Sequence, residues 1–113
     1  DVFDEEQTLT SMQLKIARLA EHLQRIARLA HVGHVRQCGM LAGIELVRDK
    51  AAKEPYPWEE RRGIRVCDHA RKEGVLLRPL GNVVVIIPPL AISLDQLDRI
   101  AAAVENGIRR AVA

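Results

Sequence analysis

Aromatic residues are scarce in this chain of 113 residues: one Phe, one Tyr and one Trp, at Phe3, Tyr56 and Trp58. None falls in a segment with strand character, so single-stranded nucleic acid would find no stacking platform. The net charge of +2 is also too small to make an electrostatic footprint for nucleic acid. Long apolar runs are missing as well. None approaches the ~20 residues that a bilayer-spanning helix needs, and no membrane partner is expected. Cysteine is limited to Cys38 and Cys67, whose separation matches no metal or redox motif. They read as two buried thiols in a reduced, cytoplasmic setting. His31 and His34 form an H-x-x-H without a second pair of ligands, so no metal site is expected. The acidic start, Asp1-Val2-Phe3-Asp4-Glu5-Glu6, is the opposite of a targeting segment. It also lacks a methionine, which suggests a piece of something longer.

What is present reads as one domain, residues 1–113, with 48% apolar and 28% charged residues. Leu9, Met12, Ile16, Leu19, Leu23 and Ile26 recur in steps of three and four, one stripe of an amphipathic helix. Asp4 suits its N-cap, with Gln7 three positions on and Glu5 and Glu6 near the positive end of the dipole. A helix from Asp4 to Ala30 would be ~40 Å long. Either half of it packs on the sheet while the rest reaches a partner, or it lies bent across its own sheet. Val32 to Val47 gives two extended runs broken at Gly39. In the second, Met40, Ala42, Ile44 and Leu46 alternate with a face whose only polar member is Glu45, so this strand is expected to be central and covered on most of both faces.

Arg48 to Glu60 is a charged loop in which Pro55, Tyr56, Pro57 and Trp58 suggest a satellite cluster. A second helix opens at Trp58 or Glu59, turns Ile64, Cys67 and Ala70 inward, and stops at Gly74. Ser93-Leu94-Asp95-Gln96 is a capping box for a last helix with Leu97, Ile100, Ala101, Val104 and Ile108 inside. The predicted fold is α+β: two layers, a mainly antiparallel sheet with helices on one side, in the order α-β-β-α-β-β-α.

Between the second and last helices lies the most informative stretch. Gly74 to Leu77 and Val83 to Ile87 are apolar runs joined by Pro79-Leu80-Gly81-Asn82, a β-hairpin with a turn of about four residues. Its one full charge is Arg78. A guanidinium fixed on a strand suits a carboxylate or phosphate, although a surface arginine whose stem covers apolar neighbours fits the same position.

The segment Leu77-Arg78-Pro79-Leu80-Gly81-Asn82, with Pro88-Pro89 beyond it, resembles the C-terminal hairpin of class III pyridoxal-phosphate aminotransferases. The similarity extends through Val35-Arg36-Gln37-Cys38-Gly39-Met40, the run Ala42 to Lys50, and Glu54-Pro55-Tyr56-Pro57-Trp58-Glu59-Glu60-Arg61-Arg62-Gly63. The Pro-Tyr-Pro-Trp loop is most like that of the biotin-pathway members. His34, Cys38 and the pair Ile86-Ile87 depart from the usual pattern at positions carrying no expected contact.

The resemblance implies the C-terminal small domain of a longer, dimeric enzyme. There Arg78 would hold the carboxylate of 8-amino-7-oxononanoate, or that of the S-adenosylmethionine donor. Class III enzymes acting on ornithine or 4-aminobutyrate carry a carboxylate-binding arginine where this chain has Val85, which disfavours that specificity. Other ω-amino-acid and amine transaminases share an arginine like Arg78 and remain an alternative. Pyridoxal phosphate would be the cofactor of the parent enzyme, with none expected on this chain and no catalytic residue in it. Its lysines, Lys15, Lys50, Lys53 and Lys72, lie in charge-rich contexts rather than the apolar ones that activate an amine. Without the cofactor-binding part the domain is expected to be inactive and to self-associate. A stand-alone α+β ligand-binding module and a dimerisation domain built on the first helix are the readings without a catalytic partner.

Overall fold

The computed structural model describes residues 2–75, 77–88 and 92–111, the side chains at 2–8 and 58 excepted. The elements run α1 (Val2–Ile26), β1 (Val32–Cys38), β2 (Leu41–Asp49), β3 (Glu54–Pro55), α2 (Arg62–Lys72), β4 (Arg78–Leu80), β5 (Val83–Ile86) and α3 (Leu94–Ala111). The sheet is antiparallel in the order β1-β2-β5-β4, with β3 pairing the far end of β2. This is the expected two-layer α+β fold, with β3 as an addition. β2 is central because its alternate residues Ala42, Ile44 and Leu46 are all buried against the helices. Val84 and Ile86 continue that face on β5, and Leu97, Val104 and Ile108 of α3 close it from above. The opposite face of β2 is only half covered, since Leu41 is exposed and Gly43 and Glu45 are partly so. The expectation of cover on both faces fails there.

Helix α1 starts by Val2, so Asp4 lies within it and is not its N-cap; the side chains of Asp4, Glu5, Glu6 and Gln7 lie outside the described residues. Nothing in Val2-Phe3-Asp4 breaks a helix, and a cap has no role inside one. The helix leaves α geometry after Ile26 through short turn bonds, Arg28 N–H to Arg25 O and Leu29 N–H to Ile26 O. Its C-terminal half buries Leu19, Leu23 and Ile26, worth roughly 1.5–3 kcal/mol each. Leu9 and Leu14, in contrast, are 61% and 58% exposed. The C-terminal half of α1 packs, chiefly on α3 rather than across the sheet, while its N-terminal half leaves Leu9 and Leu14 exposed, within a longest dimension of 51 Å.

Three local readings change. Tyr56 is no satellite but a buried member of the main core, carried inward because β3 adds Glu54–Pro55 to β2; the Trp58 side chain lies outside the described residues. The second helix is delayed to Arg62 by a 3₁₀ turn at Trp58–Glu60 and a left-handed Arg61 (φ 51°). That delay rotates its inner face to Gly63, Val66, Cys67 and Ala70, leaving Ile64 41% exposed. Cys38 is exposed rather than buried, because the two-residue turn Gly39-Met40 pairs it with Leu41 on the sheet face away from the helices. The predicted stops hold. Beyond α2, Val75 N–H donates to Ala70 O and Gly74 N–H to Arg71 O, both at 2.9 Å. At α3, Gln96 N–H donates to Ser93 Oγ (3.1 Å), while Gln96 Oε1 accepts from Ser93 N–H (3.0 Å).

Candidate functional site

The hairpin bearing Arg78 is tighter than expected. Leu80 pairs Val83, so the turn is the two residues Gly81-Asn82 rather than about four, and the paired strands are only Arg78–Leu80 and Val83–Ile86. Leu76 and Leu90, which end the apolar runs, lie outside the described residues. Gly81 takes φ +61°, the left-handed value a two-residue hairpin demands at its first position. Pro79 sits on the edge strand opposite Val84, one rung from the turn, where its missing N–H faces away from the ladder.

The turn is fastened from two sides. Asn82 Nδ2 donates to Tyr56 O (2.8 Å), and Asn82 O accepts from Leu46 N–H (2.8 Å). Behind it, α2 comes so close that a Cβ on Gly63 would stand 2.4 Å from Gly81 O. Arg62 completes the support. Its guanidinium lies 4.7 Å over the Tyr56 ring, pairs with Glu60 (2.8 Å) and donates to the carbonyl of Ala111 at the end of α3. Burial pushes the Tyr56 hydroxyl pKa up, with Arg62 pulling the other way.

Arg78 itself is exposed, and among the described residues it makes no hydrogen bond or ion pair. Its rung partner is Val85. Arg78 and Val85, the two positions singled out in the sequence, are thus cross-strand neighbours on one face. That face is the one turned away from the helices, because Val84 and Ile86, of opposite parity, are the buried ones. Leu80, 71% exposed, lies beside it. A cavity of about 410 Å³, lined by Glu73, Val75, Ile92, Gln96 and Ile100, lies between the end of α2 and the start of α3 and does not include Arg78.

The other sequence candidates are dispersed. Lys50 Nζ donates to Ala27 O (2.7 Å), Lys53 is an exposed turn residue, Lys72 ends α2 exposed, and Lys15 lies along α1. Lys50, Lys53 and Lys72 are exposed, unlike the enclosed lysine that a pyridoxal phosphate Schiff base requires. His31 Nδ1 lies within hydrogen-bonding distance of Val47 O (3.2 Å) and Arg48 O (3.1 Å), whereas His34 faces solvent opposite Glu45. Cys67 is buried under α3, which pushes its thiol pKa up, with Asp68 adding to the shift.

A charged group that sequence reasoning missed ties α1 to α3. His22 Nε2 lies 2.6 Å from Asp98 Oδ1, and Arg18 Nη1 donates to Asp98 Oδ2 (3.0 Å). The His22 hydrogen bond, then the Arg18 charge, hold the Asp98 carboxyl below its ordinary pKa. Arg36 was also passed over. It lies on the same open sheet face as Arg78, and counting the register from Gly39 would have placed it opposite Gly43.

A sheet with one bare face, carrying an arginine on a short anchored hairpin, matches a known family. The Aminotransferase class-III model covers residues 1–108, and the chain belongs to that family. The resemblance read from the hairpin is borne out. Among curated relatives, the adenosylmethionine-8-amino-7-oxononanoate aminotransferase of Geobacter sulfurreducens is 53% identical over 96% of this chain and 24% of its own length. The crystal structure of the adenosylmethionine-8-amino-7-oxononanoate aminotransferase from Methanocaldococcus jannaschii superposes with a TM-score of 0.88 at 37% identity, over 96% of this chain and 25% of that one. A PMP-bound aminotransferase from Vibrio fluvialis reaches the same TM-score at 27% identity, over 94% and 24%. The chain therefore spans about a quarter of the length of the relatives it matches.

Proposed function

We infer that this chain is the C-terminal substrate-recognition domain of a cytoplasmic, dimeric pyridoxal-phosphate aminotransferase. The enzyme would convert 8-amino-7-oxononanoate to 7,8-diaminononanoate, with S-adenosylmethionine as the amino donor. Identity of 45–53% to four relatives bearing that name, against 32% to a putrescine–pyruvate aminotransferase, favours it over an amine transaminase. The observation that carries the site assignment is the Arg78 guanidinium, without an ion pair among the described residues, on an anchored edge strand of the bare sheet face. There it binds the substrate carboxylate and fixes which end of the molecule reaches the reacting centre. Pyridoxal phosphate, when bound, supplies the electron sink for amino-group transfer, and the residues holding it belong to the remaining three-quarters of the enzyme.

The test is Arg78→Ala in the parent enzyme. Losing one partner of a desolvated ion pair costs about 2–5 kcal/mol, equivalent to roughly 30- to 5,000-fold in kcat/KM. Cofactor content should stay unchanged. Undiminished kcat/KM for both substrates refutes the assignment.

A further inference from the structure

Resting on the function just inferred for Arg78, we propose that Asn82 is a positioning residue. Its side chain ties the tip of the hairpin to the carbonyl of the buried Tyr56 and so sets where the strand bearing Arg78 stands. That strand has little else to hold it. Arg78, Pro79 and Leu80 are all exposed, so β4 buries no side chain of its own. It is the outermost strand of the sheet and pairs with β5 alone, over three rungs. Hydrophobic contact fixes the chain before the strand, where Leu77 packs against the core. After the strand, hydrogen bonds at the turn have to do so, because a ribbon this short is marginal by itself.

The turn does not need asparagine for its own conformation. Gly81 takes the positive φ (+61°), whereas Asn82 is not among the residues of positive φ, so its backbone lies where most residues are at ease. What Asn82 adds is a second bond. Its carbonyl accepts from Leu46 N–H, which any residue at this position could do; its Nδ2 donates to Tyr56 O at 2.8 Å, which takes a side-chain donor of this length. The acceptor is itself firmly held. Tyr56 is buried, its neighbour Pro55 pairs with Val47 of β2, and the Arg62 guanidinium covers its ring. The tip is thus tied to β2 directly and to the strand beyond it, from two directions. Arg78 stands two residues before Leu80, which closes the turn, about 7 Å along the strand. A misplacement of about 1 Å in a group that orients a substrate can cost on the order of 100-fold in rate, so a loosened tip is felt at the guanidinium.

The test is a double-mutant cycle in the full-length holoenzyme, with Asn82→Asp, Asn82→Ser and Arg78→Ala made singly and combined, assayed with 8-amino-7-oxononanoate. Asn82→Asp keeps the shape and puts an oxygen in place of the donor. Asn82→Ser suits the turn but ends one atom short, and it carries the test if the aspartate variant does not fold. With Arg78 present, each should lower kcat/KM about tenfold or more. Once Arg78→Ala is made, each should lower it further by less than about twofold. The melting temperature should fall by the same amount in both backgrounds, because the lost bond does not involve Arg78. Equal activity losses in both backgrounds would reveal a general packing role and overturn the proposal, as would unaltered kcat/KM in both Asn82 variants. Arg78→Ala alone decides the function on which this rests. If it keeps full activity, the carboxylate assignment falls and the positioning role with it; if it impairs turnover while the Asn82 variants do not, only the positioning role falls.

Discussion

Gly63→Ala sets two opposing effects against each other. Gly63 lies in the first turn of α2, where alanine gains up to ~1 kcal/mol of helix propensity over glycine. The added methyl would stand 2.4 Å from the backbone oxygen of Gly81. That oxygen cannot swing aside like the end of a long side chain, because Asn82 next to it is bonded to both Tyr56 and Leu46. Overpacking of this kind costs typically 1–3 kcal/mol, and a backbone atom at 2.4 Å belongs at the upper end, so the steric term wins and the net loss is up to about 2 kcal/mol. For a domain of this size that lowers the melting temperature by up to about 16 °C. Urea unfolding of the 113-residue chain gives the value directly, as a lower midpoint with unchanged slope. Gly43→Ala is the control: its methyl meets only Val83 Cγ1, at an ordinary 3.5 Å, and should be tolerated. A Gly63→Ala chain as stable as the parent would refute the claim that α2 braces the hairpin.

Asp98→Asn should act through pH. A carboxyl held low in the folded state stabilises above its unfolded pKa, near 4, and that contribution is lost as pH falls through the folded value. The stability difference between parent and variant should thus be greatest above about pH 5 and shrink on acidification, subject to solvent screening; a pH-independent difference in urea midpoint contradicts the linkage. Thiol labelling should separate the cysteines. A maleimide should modify Cys38 in the folded chain and Cys67 only after denaturation, as read by mass spectrometry, and equal rates would place Cys67 at the surface.

Local signals were legible in the sequence. The Ser93–Gln96 box, the stop at Gly74, the break at Gly39 and the Arg78 hairpin involve residues a few positions apart, and each formed at its expected place, although the hairpin's turn has two residues rather than about four. Readings that depended on distant partners fared worse. Tyr56 looked peripheral because only the β2–β3 pairing carries it inward. Cys38 looked buried because its side of the sheet is fixed by register, not by its own polarity. Ile64 turned outward because a left-handed Arg61 reset the phase of α2. Arg78 could be singled out as an isolated charge in an apolar hairpin. Its alignment with Arg36 needs the strand order β1-β2-β5-β4, which no local pattern encodes.

Arg78 and Val85 occupy one rung of the β4–β5 ladder. A guanidinium exchanged between them would travel a single strand spacing, about 5 Å, with neither backbone disturbed. An acid group held by this rung would thus shift sideways by one strand, rather than along the sheet, when the cation changes strands.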